Sequence, residues 1–430
     1  MFTNKNKHRS DALSLRLLAT VWLPFSFGYF LSYGLRNVNA VLAPELTGEF
    51  GLSAAQLGLL TSSYYVAFAL VQLPAGLLLD RFGPRRVHAS LMLVAAAGCA
   101  LHAFGHSFSQ LAFGRALIGI GLAVGLMSAV KAFSQWFPAT RVPLALNLLL
   151  ACGGIGALVA AGPVGWALYH VSWRVVFAVC AVLLLAGSSF LYFITPDRGE
   201  AGAQDSWSAL AAGFATVFSS ATFWRLSLVM AAVSGTYSAV QSLWIGPWLR
   251  DVGGLARDSA ILMMTWFALA SILGFTVIGA GCDRLIRRGA KPLTLYKIQS
   301  GAGVGLFGLI TLAGGSLGLP LWIAYFLIGS GGALVLAILS HKFPAHLSGR
   351  VTTANNVLMF AIAFAFQWGI GAALDQWPVI DGRYSPAGYQ AAFGVLFGVQ
   401  LAVYALLVIA ENPTSDGAGV ASPTRANLTR

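Results

Sequence analysis

The chain has 430 residues, of which 57% are apolar and 9% charged, with a mean hydropathy of +0.76 and a formal net charge of +12. These proportions exclude an ordinary soluble globular protein and leave room for about twelve membrane spans of roughly 20 residues each. Apolar runs this long exclude the short alternating strands of an outer-membrane barrel. The basic excess does not point to nucleic acid either: 19 of the 26 Lys and Arg lie in or beside the two tails and the loops on their side of the membrane, the asymmetry that sets orientation.

Taken in order, Lys5, Lys7, Arg9 and Arg16 flank a first span at residues 16–41 that lacks a small-residue cleavage site and is read as retained. Pro44 and Gly51 punctuate a short loop before a second span at 53–79. Spans at 87–103, 109–137, 143–168 and 173–194 follow, and then a polar, charged stretch from residue 196. The second series is predicted at 223–249, 259–279, 293–312, 319–340, 351–374 and 389–409, and residues 412–430 have the composition of a disordered tail. Cys99, Cys152, Cys180 and Cys282 are scattered, so neither a disulfide nor a metal site is expected, and no cofactor motif is present.

Between the second and third spans lies Gly76-Leu-Leu-Leu-Asp80-Arg81-Phe-Gly83-Pro84-Arg85-Arg86, a charged hinge between two apolar segments. Its pattern returns as Gly279-Ala-Gly281-Cys-Asp283-Arg284-Leu-Ile-Arg287-Arg288, with the two aspartates 203 residues apart. The same offset pairs Pro44 with Pro247 and Gly51 with Gly254, and a nearby register pairs Arg141 with Arg350 and Asn147 with Asn356. The chain reads as two copies of one unit.

This hinge resembles the loop signature of the major facilitator superfamily, and Arg115-Ala-Leu-Ile-Gly119-Ile-Gly121 resembles its fourth-helix signature. Gly162-Pro163 is similar to part of its fifth-helix antiporter signature. The resemblance implies an all-α integral membrane protein with twelve transmembrane helices in two six-helix parallel repeats. The expected units are 1–195, a cytoplasmic linker at 196–222, 223–411 and a disordered cytoplasmic tail at 412–430. It further implies a solute site between the halves near the midplane, a monomer in the inner membrane with both termini cytoplasmic, and a small-molecule substrate with no nucleic-acid partner.

All fourteen acidic residues fall in loops, tails or span ends, and the seven histidines also read as lying near ends. Arg36, Arg115 and Lys131 lie inside spans, where a charge costs roughly 3 kcal/mol unless it meets a partner or water. Arg36 is eight residues before Pro44 and too deep to reach the interface. Its setting, Tyr29-Phe-Leu-Ser32-Tyr33-Gly-Leu-Arg36-Asn37-Val-Asn39, resembles the first helix of organophosphate exchangers and anion:cation symporters, in which the arginine meets an anionic group. The planar guanidinium fork suits a carboxylate or phosphate. The candidate binding set is therefore Arg36, Tyr33, Asn39 and Arg115, joined by Tyr237 and Gln241 on one helix face and by Asn355 and Asn356. Leu35 and Leu122 stand where the symporters carry carboxylates, which leaves exchange, facilitated movement or a substrate-borne proton open.

The superfamily pattern also implies gating by Asp80 and Arg81 opposite Arg350, and by Asp283 and Arg284 opposite Arg141, closing the cytoplasmic side when the cavity faces outward. A small organic anion is the expected solute. The alternatives are an exporter of amphipathic compounds or a transport-dead receptor. A membrane enzyme would need catalytic groups within the bilayer, and this inventory offers none.

Overall fold

The computed structural model describes residues 15–197, 207–329, 332–344 and 347–409, and among them the chain is helical apart from turns and one bridge between Ile380 and Arg383. Nine helices among the described residues are long and apolar enough to cross a membrane, each satisfying its own backbone, as lipid requires. The amino-terminal helices are α1 (Leu15–Asn37), α2 (Asn39–Phe50), α3 (Ala54–Phe104), α4 (Phe108–Trp136), α5 (Val142–Ala167) and α6 (Trp173–Ile194). A helix absent from the sequence reading, α7 (Trp207–Phe218), occupies the stretch taken as linker. The carboxy-terminal helices are α8 (Ala221–Asp251), α9 (Arg257–Arg287), α10 (Pro292–Ala313), α11 (Gly315–Ile328), α12 (Gly332–Lys342), α13 (Ser348–Leu374) and α14 (Pro386–Ile409). The predicted tail and the polar part of the linker lie outside the described residues.

The two hinges differ. In α3 the chain bends at Gly83, whose φ of 78° and ψ of 157° are open to glycine alone at low cost, so Asp80 and Arg81 close one arm of the bend. The second copy has Ile286 where the first has Gly83, and α9 runs eight residues past the predicted end at Gly279, to Arg287, with the turn at Gly289 (φ 96°). Asp283 and Arg284 are therefore helical rather than in a loop. The predicted tenth span is interrupted at Gly329, where φ is 65°.

Contrary to expectation, Pro44 does not end a helix but lies inside α2, which stops only at Gly51 in a left-handed conformation. Proline has no N–H to give the carbonyl four residues back, here that of Ala40. Gly246 of α8 packs directly on this Ala40 carbonyl, and a Cβ at Gly246 would also stand 3.0 Å from the Ala40 carbonyl carbon. Gly246→Ala is expected to push α2 and α8 apart and destabilise the protein by about 1–3 kcal/mol, read as a lower melting temperature in detergent; an unchanged melting temperature would mean that this approach is not tight.

Two histidines read as peripheral are wholly buried among α1, α3, α4 and α6. His88 Nδ1 lies 2.9 Å from Ser128 Oγ, and His102 Nδ1 lies 3.0 Å from the Leu111 carbonyl. Trp248, open in the sequence to an interface or a packing role, is buried edge-on against Trp322, with ring centroids 5.5 Å apart.

Candidate functional site

The helical ladder of the first span breaks at Val38, so α1 and α2 are two segments rather than one. The Leu35 carbonyl, at this break, accepts a hydrogen bond from Arg115 Nη1 of α4 at 2.9 Å. Arg115 is completely buried, and this bond fixes it behind the break. The next residue along, Arg36, is half-buried and turns the other way. Its Cζ is 4.7 Å from the Tyr33 ring centroid, 5.2 Å from Phe68, 5.2 Å from Phe360 and 5.8 Å from Tyr64. Aromatic faces attract a guanidinium by about 0.5–2 kcal/mol each, depending on how dry the site is.

Among the described residues no carboxylate pairs with Arg36, and its buried Nε has no acceptor. The cation is thus caged by rings while its hydrogen-bonding edge is unused. Tyr64 is shared: its ring centroid is 5.8 Å from Arg36 Cζ and 5.9 Å from Arg115 Cζ.

A second polar group forms on the carboxy-terminal helices. Tyr237 donates to Ser271 Oγ at 2.6 Å, and Gln241 Nε2 donates to the same oxygen at 3.2 Å. Gln241 lies within a π-helical turn, Val240–Trp244, which interrupts α8. At the repeat offset of 203, Gln241 corresponds to Val38, so both copies carry an irregularity in their first helix at one register. Such turns recur at functional sites. Asn37 and Gln241 line the same narrow cavity between the two series of helices, with Ala40, Ala157, Ala268 and Phe326.

The predicted set therefore divides. Arg36 and Tyr33 come together, and Tyr237 and Gln241 come together in a separate cluster. Arg115 serves the helix break. Asn39 is fully buried and donates to Thr61 Oγ1 at 2.9 Å, which ties α2 to α3. Asn355, also buried, has its Nδ2 3.3 Å from Met230 Sδ, and Asn356 is half-buried with no hydrogen bond among the described residues. Neither joins the Arg36 cluster. Sequence reasoning missed Phe360, Tyr64, Ser271 and Asn37; only Asn37, next to Arg36, carried a local signal.

At the hinge end neither expected gate pair is formed. Asp80 bonds Lys131 Nζ at 2.5 Å, Arg81 stands over the Phe82 ring, and Asp283 and Arg284 are exposed without an ion pair among the described residues. Arg141 and Arg350 are both engaged, Arg350 lying against Gly213 of α7. Arg85 and Arg86 instead grip Asp197 at 2.8 and 2.9 Å, fastening the bend to the end of α6.

The opposite end is bound across the two series. Asp375, after α13, accepts from Ser53 Oγ (2.8 Å), Ala54 N (2.8 Å) and Ala55 N (3.0 Å) and so caps α3. Glu45 pairs with Arg257, and Tyr169 donates to Asp258 at 2.6 Å, a bond that pushes the phenol's pKa up. Asp251, at the end of α8, is a buried carboxylate held by Arg250, Tyr384 N and Tyr389.

The family model described as Major Facilitator Superfamily matches residues 25–367. The chain is 25% identical over 398 residues to the probable sulfoacetate transporter SauU of Cupriavidus necator, covering 88% of this chain and 85% of that protein. It is 25% identical over 384 residues to the hexuronate transporter of Escherichia coli K12, covering 81% and 86%. Among solved structures, a point mutant of the nucleoside transporter NupG superposes with a TM-score of 0.72 at 13% identity over 90% of this chain and 99% of that one. The D-xylose-proton symporter superposes with a TM-score of 0.66 at 14% identity, covering 89% and 96%. An all-helical membrane protein whose sequence matches this family model over most of its length is a multi-pass transporter of small solutes, not an enzyme, and the chain belongs to the major facilitator superfamily.

Proposed function

We propose that the protein carries a small organic anion across the inner membrane by alternating access and that Arg36 receives the anionic group. The observation that carries this reading is the Arg36 guanidinium, held among four rings at the depth of the helix break with no carboxylate partner among the described residues. A half-buried cation whose Nε is enclosed without an acceptor is costly alone and stable with a bound anion. The names of the relatives agree in chemistry, since sulfoacetate and hexuronate are both organic anions. Tyr237, Gln241 and Ser271 supply hydroxyl and amide groups for the uncharged end of the solute.

In this reading residues 1–195 and 223–411 rock against each other as monomeric units, with both termini, the linker and the hinges cytoplasmic, as the distribution of Lys and Arg favours. The ties at Asp375, Glu45 and Tyr169 then close the outer side, and the separated gate groups belong to an inward-facing state. Asp80 and Asp283 would cap the starts of α13 and α5 in the outward-facing state, where a helix N-terminus favours a carboxylate. Asp283→Asn should therefore shift the protein inward. Asp80→Asn should shift it less, because Asp80 also loses its Lys131 contact in the inward state. Cysteine labelling from either side would measure this, and equal labelling in both variants and the parent would remove the gating role.

The direct test of the function is ligand stabilisation of the purified protein by D-galacturonate and sulfoacetate against neutral sugars and organic cations, followed by uptake into proteoliposomes. Stabilisation by cations alone would overturn the anion reading.

A further inference from the structure

Phe360 differs from the other three rings around Arg36 in one respect: it comes from α13, among the carboxy-terminal helices, whereas Tyr33, Tyr64 and Phe68 come from α1 and α3. Its ring is held in place, 4.4 Å from Phe68 and 5.8 Å from Tyr65 by centroid, and it is 5% exposed. Tyr65 extends the same seam by donating to the Ser238 carbonyl of α8 at 3.2 Å. Phe360 is thus the ring through which the carboxy-terminal helices meet the guanidinium.

We propose that Phe360 is a positioning residue that stands in for the anion in the empty carrier. This inference rests on the anion reading of Arg36. A transporter that moves solute in one net direction must pass through a closed state with its site empty. In that state a guanidinium without a partner opposes closure, because the cation is dehydrated with nothing in return. An anion bridging the two sets of helices removes the obstacle on the loaded step. The face of Phe360 offsets part of it on the empty step, since a desolvated cation–π contact is worth about tenfold or more in an equilibrium. Phe360 therefore sets the balance between net transport, which needs the empty step, and exchange, which does not.

Two variants separate the ring's electrostatics from its volume. Phe360→Leu keeps an apolar side chain and removes the π face; Phe360→Tyr keeps the face. In proteoliposomes with the membrane potential clamped at zero, uptake of labelled D-galacturonate into empty vesicles is compared with uptake into vesicles preloaded with unlabelled D-galacturonate. Phe360→Leu is expected to lower net uptake about tenfold more than exchange, with Phe360→Tyr restoring the parent ratio. A parallel loss of both rates in Phe360→Leu, or an unchanged ratio, would overturn the proposal.

A second measurement needs no solute. In the ligand-free protein, Phe360→Leu should lower the melting temperature in the parent background and much less in an Arg36→Gln background, which gives a non-zero coupling in the double-mutant cycle. Zero coupling also overturns the proposal. If D-galacturonate and sulfoacetate fail to stabilise the parent protein while this coupling is present, the anion reading fails and the Arg36–Phe360 contact remains as measured.

Discussion

Arg36→Ala is expected to abolish binding of the anion while leaving a folded, monodisperse protein, because the side chain makes no hydrogen bond among the described residues that the fold would miss. Each charge-assisted hydrogen bond contributes about 1.5–3 kcal/mol, so losing one weakens binding roughly 10- to 150-fold, and losing a two-pronged grip costs more. Arg36→Lys keeps the charge but not the fork, and it also loses the stacking on Tyr33 and Phe68, so a substantial fall in affinity is expected here too. Calorimetry or a thermal-shift titration on each variant reads this directly. Unchanged affinity for the true solute in Arg36→Ala would end the anion-site assignment. Arg115→Lys should behave differently, with a loss of stability that outweighs any loss of affinity, because Arg115 serves the Leu35 carbonyl at the helix break.

The second large effect is expected at the opposite end. Asp375 accepts three hydrogen bonds at the start of α3, two of them from backbone N–H groups that α3 itself cannot satisfy. Discounted for its partial exposure, the contact is worth roughly 2–3 kcal/mol. Asp375→Ala should therefore favour opening of the outer side by about 30- to 150-fold. Asp375→Asn, which keeps one acceptor oxygen, should fall between. Leu57→Cys provides the probe: Leu57 is 1% exposed and lines the vestibule behind this cap. Its alkylation by an impermeant maleimide from outside should accelerate in Asp375→Ala. An unchanged rate would show that closure does not depend on this cap.

Much of this was legible in the sequence for identifiable reasons. Charge is scarce within the spans, so Arg36 stood out by depth alone, and the doubled hinge exposed the repeat. The boundaries that failed did so where one substitution redirects the backbone. Ile286 in place of a glycine lets α9 run on to Arg287, and Pro44 lies inside a helix whose Ala40 carbonyl packs against Gly246. Amides carried too little information. Asn39 and Asn355 look like Gln241 in sequence, yet they tie neighbouring helices together, because a buried amide meets backbone or sulfur as readily as solute. Phe360 could not be singled out among 28 phenylalanines, since its meaning comes only from the guanidinium it faces across the molecule. Asp375 read as a loop charge because its partners are more than 300 residues away.

The break at Val38 and the π-turn at Val240–Trp244 also have a mechanical meaning. A helix with one compliant joint moves like a lever: points near the joint travel little while the ends sweep through long arcs. Arg36 lies two residues from one joint and Gln241 lies inside the other, about 3 Å or less along the helix axis from each pivot. The groups that would hold the solute thus sit at the fulcrums, whereas Glu45 and Asp251 lie farther out along the levers α2 and α8. Access can then pass from one side of the membrane to the other while the load itself scarcely moves.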